Sequence, residues 1–129
     1  MSLSNSHKTY AGGCHCGRVR FTVKFDLNQP VYDCNCSICR KKGFLHLIVP
    51  PENFTLLTGK EQLNIYTFNT GKAKHTFCKV CGISSFYYPR SHPNMIDVNL
   101  RCLDENIGSK IEIVPFDGAN WEANVDKIT

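Results

Sequence analysis

The sequence predicts a mainly β fold built around metal–thiolate sites. Three observations carry that expectation: short strand-like runs separated by glycine, proline and asparagine, little helical periodicity, and seven cysteines gathered into three tight groups. At 129 residues the chain is long enough for one domain with a real core and short for two. Its hydrophobic fraction of 42% and charged fraction of 20% are those of a globular protein. No stretch approaches the roughly 18 consecutive apolar residues of a membrane span, so no membrane partner is expected.

The elements follow in order. Residues 1–9 are small and polar and are expected to form a disordered leader, with residues 10–129 as a single domain. The leader lacks the apolar segment of a secretory signal, which points to a reducing compartment: the cytoplasm, with the nucleus as second candidate. After Gly12-Gly13, Val19, Phe21, Val23 and Phe25 alternate with Arg18, Arg20, Thr22 and Lys24, the pattern of a half-buried strand. Similar runs occur at 44–49, 54–57, 63–68, 75–77, 84–88, 95–100 and 111–114. Helical turns are expected at 37–42, with Ser37 as N-cap, and more weakly at 120–126 beside Trp121. A cysteine group followed by strands occurs twice, which allows two related half-motifs. The formal net charge of +4 favours encounters with anions without defining a nucleic-acid binder.

The cysteine groups are Cys14-His15-Cys16-Gly17, Cys34-Asn35-Cys36-Ser37-Ile38-Cys39 and Cys78-Lys79-Val80-Cys81-Gly82. Two closely spaced thiolates followed by glycine form a knuckle whose sulfurs face one ion, and tetrahedral zinc needs two such halves. The simplest pairing joins Cys14 and Cys16 to Cys78 and Cys81 in a closed site that ties the start of the domain to its middle. The trio Cys34, Cys36 and Cys39 can then wrap a second ion and leave a position vacant, the mark of a reactive zinc. Three thiolates make such an ion a weak Lewis acid, suited to binding or exchanging a thiolate rather than activating water. Other arrangements stay open: the first pair with part of the trio and Cys78 with Cys81 as a redox couple, a disulfide scaffold, or a second structural zinc completed by His46, His75 or His92. Cys102 stands apart and reads as a buried small apolar residue.

With these groups, and with Tyr66-Thr67-Phe68-Asn69-Thr70, Ser85-Phe86-Tyr87, Pro89-Arg90-Ser91, Cys102-Leu103-Asp104-Glu105 and Asp117-Gly118-Ala119-Asn120-Trp121-Glu122, the chain resembles the glutathione-dependent formaldehyde-activating enzyme family, and most closely its centromere protein V-like branch. The resemblance runs from about residue 10 to about residue 126. It implies coiled antiparallel β-sheets in two similar halves, of β-tent type, and two zinc ions per chain. Cys14, Cys16, Cys78 and Cys81 would hold the structural zinc, and Cys34, Cys36 and Cys39 the other. It further implies a carbon–sulfur lyase-type activity that joins glutathione, or another small thiol, to formaldehyde as S-(hydroxymethyl)glutathione.

On this reading Arg40 and Lys42 are candidates to receive a substrate carboxylate. His46 and His75 are candidates to move a proton, and Tyr87, Tyr88 and Trp121 to wall a pocket. The rival reading is a noncatalytic zinc module of centromere protein V type that binds a protein or nucleic-acid partner. The sequence offers it a mild positive charge but no recognition helix and no arginine-rich tract.

Overall fold

The alternation at Val19, Phe21, Val23 and Phe25 becomes one wall of the core, with all four side chains at most 1% exposed. The structure is a computed structural model and describes residues 7–68, 71–120, 123 and 125. Three of the four lie on β2 (Arg20–Asp26), which sits between β1 (His7–Gly13) and β5 (Phe54–Thr58) in a three-stranded antiparallel sheet. β1 starts at His7, paired with Asp26, ahead of the boundary expected at Tyr10. Main-chain pairing satisfies polar backbone whatever the side chain, which is why exposed His7, Lys8 and Thr9 join the ladder. Gly12 and Gly13 lie inside this strand rather than ending it. A Cβ on Gly12 would stand 2.5 Å from the Cys102 carbonyl oxygen, and one on Gly13 2.2 Å from that of Val19.

A second sheet has the order β10-β3-β4-β9-β8, formed by β3 (Val31–Cys34), β4 (Leu45–Val49), β8 (Phe86–Tyr87), β9 (Ile96–Asn99) and β10 (Ile113–Phe116). Its pairs are antiparallel except β10 with β3, which run parallel. That one pair departs from the all-antiparallel expectation, because the last strand returns beside β3 from a distant part of the chain. β10 reaches past Pro115, where the expected run stopped at 114. At a sheet edge the missing proline N–H breaks no ladder.

This sheet has two faces of different character. From β4, Leu45, Leu47 and Val49 enter the hydrophobic core with Val31, Phe86, Ile96 and Val98, while His46 and Ile48 point the other way. Residues paired directly across strands share a face. Tyr32 opposite His46, Asp97 opposite Ile48, Tyr87 opposite Asp97, and Phe116 beside Cys34 therefore extend the second face across all five strands. The core between the two larger sheets includes Phe54, whose ring lies 5.3 Å from Phe21 and 4.8 Å from Phe86.

The helix α1 (Ser37–Lys42) has the expected span but not the expected cap. Cys36 is the N-cap, its sulfur accepting the Cys39 N–H at 3.4 Å, so the capping atom is a candidate metal ligand. Gly43, at φ 69°, closes the other end by donating its N–H to the Cys39 carbonyl at 3.0 Å. A hairpin of β6 (Leu63–Tyr66) and β7 (His75–Cys78) carries the third cysteine group at its end. The weaker helix expected at 120–126 falls largely outside the described residues.

Replacing the fully buried Leu47 with alanine is expected to cost about 2–5 kcal/mol in urea unfolding. Ile48→Ala, on the opposite face of the same strand, is expected to cost clearly less.

Candidate metal centres and the cavity beside them

The fold gathers the sulfurs of Cys14, Cys16, Cys78 and Cys81 within 4.8 Å of one another. The separations of Cys16 from Cys14 and Cys78 are 3.6 and 3.7 Å. Sulfurs about 2.3 Å from a tetrahedral zinc lie about 3.8 Å apart, so the group fits that ion. The two half-sites are built alike. The Cys14 N–H donates to Val19 O and the Cys78 N–H to Ile83 O, each at 3.0 Å, and each knuckle turns on a glycine, Gly17 at φ 84° and Gly82 at φ 80°. Backbone donors then reach the sulfurs themselves. Val19 N lies 3.3 Å from Cys14 Sγ, and the Arg18 N–H and guanidinium pull the Cys16 thiol down to about 6. Cys14, more enclosed, is pushed up by burial. A cation among the four sulfurs removes that conflict by favouring the thiolate at every position.

The second group is Cys34 at the end of β3, Cys36 at the helix cap and Cys39 in the first turn of α1. Mutual contact sets their ionisation. Hydrogen bonds from Cys34 and Cys39 draw Cys36 down to about 2, while contacts with Cys34 and Cys36 push Cys39 strongly up. One thiolate is thus held by two thiols, and a divalent cation is what lets all three ionise together. Among the described residues no histidine or carboxylate joins this trio at ligand distance, so His46, His75 and His92 do not complete it.

Asn35, between the first two cysteines, holds the loop to the turn Gly118–Asn120. Its Nδ2 donates to Asp117 Oδ1 at 3.0 Å, its Oδ1 accepts the Ala119 N–H at 2.9 Å, and its N–H donates to Phe116 O at 3.2 Å. Gly118 lies so close that a Cβ there would stand 2.2 Å from Cys34 Sγ.

The trio forms part of the wall of a cavity of about 500 Å³. The second face of the five-stranded sheet supplies another part, through Tyr32, His46, Ile48, Tyr87 and Asp97. Phe68, His75 and Tyr87 form a short stack, with centroid distances of 5.5 and 4.5 Å. Burial and the Lys42 charge hold the His75 imidazole at about 4, below its usual range.

The other sequence candidates lie elsewhere. Arg40 is exposed and Lys42 half-buried, its ammonium donating to Ser84 Oγ at 3.2 Å and approaching His75 Nδ1 at 3.4 Å; neither lines the cavity. Among the described residues, the Lys or Arg on the wall is Arg90. Tyr87 lines the cavity and Tyr88 does not, while Trp121 lies outside the described residues. Cys102, half-buried and with its thiol pushed up to about 11 by burial, belongs to neither group. Sequence reading gave no role to Arg90, Gly118 or Asp97. Asp97 did carry a signal: a charged residue centred in the apolar run 95–100 must face away from the core and, if buried, find a partner.

Gly118→Ala is expected to displace the Cys34 sulfur and remove about one zinc per chain, as Cys36→Ser should, while the four-sulfur group keeps its metal. Elemental analysis with circular dichroism checks both points. Equal loss from both groups, with unfolding, is the contrary result.

A family profile for the glutathione-dependent formaldehyde-activating enzyme matches residues 9–116. A protein of Halomonas elongata provisionally named for the same activity is 27% identical over 104 residues, 74% of this chain. The match spans 66% of that relative, just under two thirds of its length. The crystal structure of a Rhodobacter sphaeroides protein is similar at a TM-score of 0.72 and 36% identity, over 81% of this chain and 97% of its own. Matched along most of its length and carrying two cysteine groups that could each hold a metal ion, the chain belongs to the glutathione-dependent formaldehyde-activating enzyme family.

Proposed function

We propose that this protein is a zinc-dependent enzyme of carbon–sulfur lyase type that makes and breaks the adduct of glutathione, or a similar small thiol, with a small aldehyde, as S-(hydroxymethyl)glutathione synthase does. One observation carries the reading: the three-sulfur group, with no fourth ligand among the described residues, lies on the wall of a cavity of about 500 Å³. That volume is in the range of small-molecule sites. The four-sulfur group is the structural centre on this reading, and the trio the working one.

Zinc at the trio supplies a positive charge that favours thiolate over thiol in an incoming substrate. The remaining work falls to the chain. Cys34, Cys36 and Cys39 hold the ion, Asn35 and Gly118 fix the loop that carries them, and the stack of Phe68, His75 and Tyr87 gives the substrate an apolar wall. Arg90 is the wall cation suited to a tripeptide carboxylate, in place of Arg40 or Lys42. In the addition, the thiol sulfur attacks the carbonyl carbon, the carbon–sulfur bond forms, and the carbonyl π pair moves to the oxygen, which takes a proton. Nothing is oxidised or reduced.

A noncatalytic module of centromere protein V type would account for the two sulfur groups equally well, but it leaves the cavity beside the trio without a use. A likeness to that branch would concern fold and metal centres before substrate. The proposed chemistry belongs in the cytoplasm, where glutathione is kept reduced. Among the described residues no helix is long and apolar enough to cross a membrane.

Exchange spectroscopy with ¹³C-formaldehyde and glutathione tests the reading. The protein is expected to speed the exchange above its spontaneous rate, and Cys36→Ser to abolish that gain. Protein with both groups metal-filled that leaves the spontaneous rate unchanged would refute it.

A further inference from the structure

A buried polar pair in the cavity wall has no role in the scheme above. His46 Nδ1 lies 2.6 Å from Asp97 Oδ2, and the Tyr87 hydroxyl lies 3.4 Å from the same nitrogen. His46 is 5% exposed and Asp97 1%. Among the described residues, His46 Nε2 and Asp97 Oδ1 are both enclosed and have no hydrogen-bond partner. Leaving a buried polar atom unpaired is destabilising, so a pair serving only to stabilise the sheet is a poor choice on a strand of leucine, isoleucine and valine.

The geometry sets the direction of the imidazole. A carboxylate accepts, so Nδ1 carries the hydrogen toward Asp97, and in the neutral ring Nε2 keeps a lone pair. His46 lines the same cavity as Cys34, Cys36 and Cys39, yet stands outside their ligand distance. It is therefore placed beside the three sulfurs without being one of the metal's ligands. His75, the other histidine on the wall, is stacked between Phe68 and Tyr87, with the Lys42 ammonium 3.4 Å from its Nδ1. Of the two, His46 is the one whose ring is held by an anion.

We propose that the His46–Asp97 pair is the proton relay of this site, with Nε2 taking the proton of the incoming thiol and delivering it to the aldehyde oxygen. The proposal rests on the thiol–aldehyde reading above. The thiol gives its proton to Nε2; the sulfur pair forms the carbon–sulfur bond; the carbonyl π pair moves to oxygen; and Nε2 returns the proton there. Asp97 keeps Nδ1–H oriented and stabilises the transient imidazolium, and cleavage of the adduct runs the same steps backward.

Kinetics and imidazole NMR on the full chain test the relay together. In the formaldehyde–glutathione exchange, His46→Gln is expected to lose about 10²–10⁴-fold in kcat, with KM for glutathione and zinc content unchanged. Asp97→Asn should fall in the same direction and lose the Nδ1–H tautomer in long-range ¹H–¹⁵N spectra. In the wild type, the unprotonated Nε2 resonance of His46 should shift when glutathione is added. A wild-type rate in His46→Gln, or an Nε2 resonance indifferent to glutathione, overturns the relay while leaving the reading of the enzyme intact. If the wild type does not accelerate the exchange, that reading fails, and the glutathione shift alone decides whether Nε2 faces a thiol. Should His46→Gln not fold, the wild-type spectra and Asp97→Asn carry the decision.

Discussion

The structure turns on the meeting of four sulfurs from distant parts of the chain. Cys16 and Cys78 are 62 residues apart in sequence and 3.7 Å apart in space. Closing so long a loop costs conformational entropy that neither knuckle can offset alone. Four thiolates around one cation repel each other strongly without it and are drawn together strongly with it. The join ties the β1–β2 hairpin to the end of β7. The second sulfur group depends on none of those segments; β3, α1 and the turn Gly118–Asn120 hold it. On the proposed reading, stability and chemistry fall to two separately held sulfur groups.

Much of this was legible in the sequence, and the reasons are specific. Val19, Phe21, Val23 and Phe25 announce a strand because one face is core and the other water, and the structure buries all four. The cysteine groups announce themselves because thiolate ligation needs close spacing within each half. β1 and β3 escaped notice because they have little apolar pattern to show. β1 holds two glycines that usually end strands and here allow close approach, and β3 is four residues long, with exposed Asp33 just before the metal-site Cys34. Ser37 looked like the N-cap because hydroxyls usually fill that position; the sulfur of Cys36 fills it instead.

The site was harder to read than the fold because it is assembled across strands. His46, Tyr87 and Asp97 are far apart in sequence and meet because β4, β9 and β8 are neighbours in one sheet. Arg40 and Lys42 drew attention because they follow Cys39 directly, but a helix of six residues turns its side chains in different directions, and neither reaches the cavity. Arg90 reaches it from a loop whose sequence carries no such hint. The alternation of β4 is the common cause. The same period of two that sends Leu45, Leu47 and Val49 into the core obliges His46 and Ile48 to face the cavity.

The parallel pairing of β10 with β3 has a further consequence for how the protein is made. Synthesis releases the chain from its N-terminus, so Cys34, Cys36 and Cys39 leave the ribosome long before Phe116 and Ala119, the residues that fasten their loop through Asn35. The four-sulfur join needs nothing later than Ile83 for its knuckle bonds. The order of translation thus favours completing the anchoring centre first, and leaves the three-sulfur loop waiting for the last strand.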